Sequence, residues 1–350
     1  MRGGARRAIL HYAIYPLILF LLPLLASAAY PGPDLSSSEV SSSTPQPDIA
    51  MVIAPPNPRV TTAEVTPRAV PPITTMLAPT AVDQLQADIA AIGARSGAHV
   101  GIDLEELSGP RRTSLAINGN QNFYAASAYK LPLLMAEAQQ IAAGQVSPSD
   151  LLCYDPSDQE DGWFTDYDIG TCFSRQDLAV RTGRYSDNTA AHILVRYLGG
   201  PNALNAYANS IGMTSSALWD PNTTTPTDLS SAWVGEVLGR LGGSAAQQWL
   251  FPILSHTAFE QGIPAGLPGG VTVVHKVGTM YGVENDSAYV TNGRISYVLT
   301  VAVSGPDEAT GWSVIARISQ RIWQHEAARP DFVAPVSGSP RPPVWPDRRH

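Results

Sequence analysis

The spacing of apolar residues predicts a helix and two strands ahead of a long helical middle. Apolar side chains recur at helical spacing from Val82 to Ile92, and they alternate as in a strand from Val100 to Leu104. A second strand covers Leu115 to Ile117. From Ser127 to about Gly262 the pattern is mostly helical, which indicates a lobe made of helices.

Strand character returns in the last third of the chain. It covers Val271 to Thr279, and Ser287 to Val303 has the pattern of a hairpin turned by Asn292-Gly293. A closing helix follows from Ile315 to Ile322. Because strands and a helix lie near both chain ends, we predict an α+β fold in which one antiparallel sheet joins the termini. We expect the functional site in the cleft between this sheet and the helical lobe.

The two ends of the chain are rich in proline and carry too little apolar surface for a core. Residues 30–80 consist mainly of Pro, Ser, Thr and Ala, which is typical of a disordered, semi-extended linker. Residues 329–350 are similarly Pro-rich and are predicted to be a disordered tail. The folded domain is therefore predicted at residues 81–328.

The first 29 residues have the features of an export signal. Arginines precede an apolar run from Ala8 to Leu25, and Ala26-Ser27-Ala28 has the small-x-small form of a signal-peptidase site. The run exceeds the about 7–15 residues usual in a signal peptide and approaches the ~20 of a membrane span. Residues 1–29 are therefore predicted to be a cleaved signal peptide or a retained anchor through residues 8–29. Both predictions place the domain outside the cytoplasm, either secreted or tethered in the cell envelope.

The net charge excludes one class of partner, and the cysteines indicate the redox state of the compartment. A net charge of -8 provides no basic surface for a phosphate backbone, so nucleic acid is excluded as a partner. Cys153 and Cys172 are the only cysteines, and in an oxidising compartment they predict a disulfide that closes a loop. Three aromatic residues in this loop are predicted to pack in the helical lobe rather than to wall the cleft: Trp163, Phe164 and Tyr167.

Lysine is rare in this chain, because only two of its 22 basic residues are lysines. Arginine neither loses its proton readily nor acts as a compact point charge, so retained lysines indicate chemistry. Lys130 follows Ser127 by three residues, where an apolar helix from Leu131 to Ala143 begins. This spacing places the amine one turn from the hydroxyl on the same face. There it can accept the hydroxyl proton if burial lowers its pKa.

Two further elements accompany this Ser-x-x-Lys motif, which alone occurs by chance about once in a chain of this length. Ser186-Asp187-Asn188 starts a second helix, Thr189 to Leu198, and His275-Lys276-Val277-Gly278-Thr279 ends a predicted strand. The second lysine, Lys276, therefore lies in the third element.

These three elements, in this order, resemble the Ser-x-x-Lys, Ser-Asp-Asn and Lys-Thr-Gly motifs of the serine β-lactamase and penicillin-binding protein superfamily. The resemblance covers about Val82 to Arg329 and is nearest to class A β-lactamases. Three flanking segments match that family: Asp187 to Ala191, Thr223 to Pro226 and Ile263 to Pro268. The resemblance implies a five-stranded antiparallel sheet flanked by the terminal helices, together with an all-helical lobe.

The resemblance also implies catalytic roles for four residues. Ser127 would attack the substrate carbonyl to form an acyl-enzyme, and Lys130 would accept the serine proton. Ser186 would pass a proton to the leaving nitrogen, while Lys276 would attract the substrate carboxylate and polarise Ser186.

Three further positions would bind the substrate. Asn188 would hold the amide on the acyl side, and Gly278 and Thr279 belong to the third motif. The backbone N–H groups of Ser127 and Thr279 would form the oxyanion hole. The implied substrate is a β-lactam or a peptidoglycan stem peptide, with no cofactor and no metal, and we expect a monomer.

Two departures from the class A pattern bear on this interpretation. The omega loop that supplies the deacylating glutamate in class A enzymes is shortened here, and Asp220 is the carboxylate in its place. Val277 stands where the third motif has a threonine hydroxyl, a loss that Thr279 on the same strand face could offset.

Three functions are compatible with this pattern. The first is a β-lactamase that acylates Ser127 and then hydrolyses the ester, with either Asp220 or a water assisted by Lys130 acting in the second step. The second is a D-alanyl-D-alanine carboxypeptidase acting on peptidoglycan, and the third is a sensor module that stays acylated. A Ser-His-Asp hydrolase is disfavoured because the chain has no Gly-x-Ser-x-Gly segment.

Overall fold

The computed structural model describes residues 80–109 and 112–329 of the 350-residue chain. These residues adopt the predicted α+β fold. The predicted leader, the linker before Thr80 and the tail after Arg329 lie outside the described residues. Among residues 80–109 and 112–329, no helix combines the length and the hydropathy that a membrane span requires.

The described residues form eight α-helices and nine strands. The helices are α1 Ala81–Ser96, α2 Lys130–Ala142, α3 Arg175–Arg184, α4 Asn188–Leu198, α5 Pro201–Ser210, α6 Pro226–Val237, α7 Gly243–Leu250 and α8 Glu308–Ala327. The strands are β1 His99–Glu106, β2 Ser114–Ile117, β3 Phe123–Tyr124, β4 Leu151–Cys153, β5 Cys172–Ser174, β6 Thr223–Thr224, β7 Thr272–Met280, β8 Val283–Thr291 and β9 Ser296–Ser304. Short 3-10 turns cover Ala126–Tyr129, Pro156–Asp158 and Pro264–Gly266.

The main sheet is antiparallel and has the strand order β2-β1-β9-β8-β7. It therefore unites strands from both ends of the folded domain, as the sequence pattern predicted. The terminal helices α1 and α8 pack together over one face. Fully buried Leu85, Ile102 and Ile318 represent the apolar core on that side.

The helical lobe packs against the other face of the sheet. Alternation along β9 shows the division, because Tyr297 and Leu299 belong to the core under the terminal helices while Val298 belongs to the lobe core. Helix α2 lies inside this lobe, and Leu131, Leu133 and neighbouring residues on all its sides are buried. A helix buried all round is held in place by its neighbours, so its first turn is a firm support for functional groups.

Short strands that the sequence pattern did not predict lie just before and within the mostly helical middle of the chain. β4 pairs with β5, and β3 pairs with β6. Strands of two or three residues are too short to show a period, so hydrophobic spacing did not predict them. The β4–β5 ribbon places Cys153 directly opposite Cys172, and the predicted disulfide joins them. It closes the loop formed by residues 154–171.

Candidate active site

Ser127 lies in the 3-10 turn that leads into α2. The α-helix that follows begins at Lys130, one residue before the predicted start at Leu131. The turn enters through Ala126 with a left-handed φ of 46°, which sets the serine apart from the regular helix. Ser127 is half-buried, so its hydroxyl remains accessible to a substrate.

Lys130 is completely buried beneath this serine. Its Nζ lies 3.0 Å from Ser127 Oγ, 2.6 Å from the Ser186 carbonyl oxygen and 2.5 Å from Asn188 Oδ1. Burial lowers the pKa of Lys130 to about 7, although the charges of Asp187 and Glu160 oppose that shift. The amine is therefore partly neutral near pH 7, and it can accept the proton of the serine hydroxyl.

Ser186 is brought to the same point by the turn before α4. It has a left-handed φ of 59°, and its hydroxyl lies 3.5 Å from the Lys130 amine. Asp187 then caps α4 by accepting the backbone N–H of Ala190 at 2.8 Å. The cap fixes the start of α4, and with it the positions of Ser186 and Asn188.

Lys276 reaches the site from β7. The Ser186 hydroxyl lies between the amines of Lys276 and Lys130 in the chain of hydrogen bonds. Lys276 Nζ donates to Ser186 Oγ at 2.9 Å and to the Val277 carbonyl oxygen at 2.9 Å. Burial and the charge of Lys130 lower the pKa of Lys276 well below its ordinary value. Two buried amines thus share one hydroxyl, and their mutual repulsion disfavours a double positive charge.

Gly278 allows β7 to lie directly against the nucleophile turn. A Cβ at this position would stand 2.3 Å from the Ala125 carbonyl oxygen and 3.1 Å from the Ser127 nitrogen. Thr279 follows at the half-buried end of the strand. Val277 turns away and is buried in the core under α1 and α8. The structure therefore brings together six of the seven predicted catalytic and substrate-binding residues. The seventh, Thr279, is the next residue along the strand.

Two asparagines support the nucleophile turn and were not singled out from the sequence. Asn285 on β8 donates to the Tyr124 carbonyl oxygen at 2.9 Å. Asn222 donates to the Ala126 carbonyl oxygen at 3.2 Å, and its own carbonyl accepts the Ala125 N–H at 2.9 Å. Asn222 Oδ1 is buried without a hydrogen-bond partner among the described residues, so it is suited to hold a water molecule. Asn222 has a left-handed φ of 52°, a conformation that asparagine adopts more readily than most residues.

The loop between the cysteines is tied to the site through Asp187. This buried carboxylate accepts the Tyr167 hydroxyl at 2.7 Å and the Trp163 backbone N–H at 2.8 Å. Tyr167 is buried in the lobe core, as predicted, and Phe164 is partly buried against the same core. Trp163 differs from the prediction, because its side chain is 59% exposed and packs beside Tyr185.

The shortened segment before α6 presents a tryptophan, and not its carboxylate, to the lobe. The Trp219 ring lies 5.8 Å from the Tyr129 ring and 4.5 Å from the His192 ring, measured between centroids. Asp220 is exposed and makes no hydrogen bond or ion pair within the described residues. Asp220 is the carboxylate of this segment, and the fold turns it toward solvent.

One group of side chains in the described residues has the donor types of a metal site, and it lies apart from the lysines. Ligand atoms of Glu106, His325 and Glu326 lie within 4.8 Å of one another. The Arg329 guanidinium is 3.1 Å from Glu106 and 2.9 Å from Glu326. Because this cation already pairs with both carboxylates, the arrangement is that of a buried ion-pair cluster.

Fold and site together define a class of serine acyl-transfer enzymes. The site lies at the junction of a helical lobe and an antiparallel sheet. It contains a nucleophile, an amine that can become neutral, a second hydroxyl and a second amine, and each group is within hydrogen-bonding distance of the next. The model of the beta-lactamase enzyme family matches residues 84–326, so the chain belongs to that family. The superfamily predicted from the three motifs is confirmed, and the chain is a serine hydrolase of the β-lactamase type.

Similar proteins of known sequence or structure agree with this assignment. Beta-lactamase CTX-M-25 of Escherichia coli is 27% identical over 241 residues, covering 62% of this chain and 80% of the relative. An ancestral class A beta-lactamase superposes with a TM-score of 0.64 at 28% identity, covering 69% of this chain and 99% of the ancestral chain. A mutant of PBP-A, solved as its acyl-enzyme complex with penicillin G, superposes with a TM-score of 0.65 at 26% identity. That match covers 69% of this chain and 95% of PBP-A.

Proposed function

We propose that this protein hydrolyses β-lactams in two steps through an ester on Ser127. The observation that carries the proposal is the continuous chain of contacts from Ser127 through Lys130 and Ser186 to Lys276. Lys130 Nζ takes the proton of Ser127 as Oγ bonds to the lactam carbonyl carbon. The proton then passes through Ser186 to the lactam nitrogen as its bond to the carbonyl carbon breaks.

Substrate binding would itself prepare the base. β-Lactams carry a carboxylate beside the ring nitrogen, and Lys276 is placed to receive an anion next to Ser186. An anion bound there raises the pKa of Lys276 and concentrates the shared positive charge on it. Since the two amines repel each other, Lys130 is then favoured in its neutral form. The carboxylate is therefore recognised and used to activate the nucleophile.

The same assay tests this function and its two alternatives. Purified residues 80–329 are mixed with a chromogenic cephalosporin and, separately, with a fluorescent penicillin. Continuous colour supports hydrolysis, and a stable label without turnover would instead support a sensor. Release of D-alanine from a cell-wall pentapeptide in the absence of β-lactam turnover would select the peptidase. Ser127→Ala is expected to abolish labelling and turnover, and wild-type activity in that variant would refute the assignment of the nucleophile.

We further propose that the domain works outside the cytoplasm. The apolar run at residues 8–25 and the small residues after it support export, and the Cys153–Cys172 disulfide is typical of an oxidising compartment. Mass analysis of the exported protein would distinguish a new amino terminus near Ala29 from a retained anchor. Protein found only in the cytoplasm would contradict the proposal.

A further inference from the structure

Hydrolysis of the Ser127 ester requires a group that takes a proton from water. The shortened segment before α6 offers only Asp220, which is exposed and makes no contact with the lysine network in the described part of the chain. The buried Asp187 acts electrostatically on Lys130, but Ala190, Tyr167 and Trp163 already donate to its two oxygens. Neither carboxylate is placed to accept a proton from water at the ester.

A third carboxylate, Glu160, approaches from the disulfide-closed loop. The Glu160 backbone is held on both sides by Thr189, whose hydroxyl accepts the Glu160 N–H at 3.0 Å and donates to the Glu160 carbonyl at 2.8 Å. The next residue is fixed as well, because Asn188 Nδ2 donates to the Asp161 carbonyl at 2.8 Å. The loop is therefore attached directly to the residues of α4 that face Lys130.

The Glu160 side chain is oriented by a histidine on the same helix. Its Oε2 lies 3.1 Å from His192 Nε2. His192 is one turn beyond Asn188, so both side chains project from one face of α4, and Asn188 Oδ1 touches Lys130 Nζ at 2.5 Å. The Trp219 ring covers the imidazole at 4.5 Å. The carboxylate thus has a fixed partner on the Lys130 side of the helix.

The exposure of Glu160 and the charge state of His192 suit a carboxylate that accepts a proton from water. Burial is the main reason that the pKa of His192 lies below its ordinary value, and the Lys130 charge lowers it further. The charges of Glu160 and Asp158 oppose this shift, yet the imidazole remains mainly neutral at pH 7. The Glu160 side chain is 46% exposed, and Oε1 has no hydrogen bond among the described residues. That oxygen can accept a hydrogen bond from water.

We propose that Glu160 is the catalytic base of deacylation and that His192 positions it. This inference depends on the hydrolysis proposed above. Glu160 Oε1 takes one proton of a water molecule as the water oxygen bonds to the acyl carbonyl carbon. The carbon–Oγ bond then breaks as Ser127 Oγ takes a proton from the protonated Lys130 amine, 3.0 Å away. Glu160 returns its proton to Lys130 through water. One water is consumed, one carboxylic acid is formed and the serine is restored.

The test compares the acylation and deacylation rates of single variants. In Glu160→Gln, deacylation is expected to fall by ~10²–10⁴, the usual contribution of a general base, while acylation changes less than about threefold. Rapid quenching followed by intact-protein mass spectrometry then detects an accumulated acyl-enzyme. His192→Gln is expected to lower deacylation by a smaller factor and to leave acylation unchanged. Normal acylation in these variants shows that they fold.

Two matched controls separate this role from a general effect of charge. Asp168→Asn removes a negative charge from an exposed position of the same loop, and Asp220→Asn removes the carboxylate before α6. Both are expected to deacylate as the wild type does. Wild-type deacylation in Glu160→Gln, or a loss confined to Asp220→Asn, would overturn this inference and leave the proposed hydrolysis standing. A wild-type protein that is acylated and never turns over would overturn both.

Discussion

Replacing Gly278 by alanine is expected to separate the nucleophile from the third motif. The new Cβ would lie 2.3 Å from the Ala125 carbonyl oxygen and 2.6 Å from the Ala128 nitrogen, against about 3.4 Å for ordinary contact. Both neighbours are backbone atoms, so no side chain can rotate away. The turn that carries Ser127 therefore has to move from β7 by about 1 Å.

A movement of this size affects both activity and stability. Misplacement of a reacting group by about 1 Å can cost ~10² in rate, so kcat/KM for a chromogenic cephalosporin is expected to fall about 100-fold in Gly278→Ala. Overpacking by one methyl group costs about 1–3 kcal/mol, which lowers the Tm of a domain of this size by about 2–12 °C.

The control for this substitution is Gly269→Ala in the turn before β7. Gly269 is exposed and does not have a positive φ, and a Cβ added to it would meet no atom within 4 Å. The kcat/KM and Tm of this variant are expected to match the wild type. If Gly278→Ala retained kcat/KM within twofold, the close approach of strand and turn would not be what aligns the nucleophile.

Two further predictions concern the base and the loop. Because burial lowers the pKa of Lys130 to about 7, the acylation rate should rise with pH through about 7 and then level off as the amine loses its proton. Stopped-flow measurement of acylation tests this, and a rate that is flat from pH 5.5 to 8.5 would contradict the role of Lys130 as the base. The paired variant Cys153→Ala and Cys172→Ala should lose about 3 kcal/mol of stability, since the bond closes a loop with a sequence separation of 19. Denaturant unfolding measures that loss, and equal stability with and without the bond would contradict the prediction. Because the same loop carries Glu160, the deacylation rate of the paired variant should fall more than its acylation rate.

Charge repulsion between the two lysines connects binding to catalysis in this site. Lys130 and Lys276 contact the same Ser186 hydroxyl and are both buried. Their environment penalises a second charge, so an anion bound at one amine changes the protonation of the other. An arginine could not take the place of Lys130, because it stays protonated at any ordinary pH.

The sequence by itself determined the regular elements and the local chemistry of the nucleophile. Helices α1, α2, α4 and α8 and strands β1, β7 and β9 follow from apolar spacing, because each is long enough to show its period. The contact between Ser127 and Lys130 is also local, since residues three apart in a helical turn face each other. The order of the three motifs was sufficient to identify the family.

Only the tertiary structure decided which remaining groups meet at that nucleophile. Asn285 and Asn222 reach the turn from 160 and 96 residues away in the chain, and neither stands in a periodic pattern. Glu160 lies in an irregular stretch just after the 3-10 turn Pro156–Asp158, where apolar spacing carries no information about the direction of a side chain. Asp220, the carboxylate that the sequence offered, turns to solvent because Trp219 buries its apolar ring against Tyr129 and His192. Such long-range choices depend on packing between distant segments, and local propensity does not encode them.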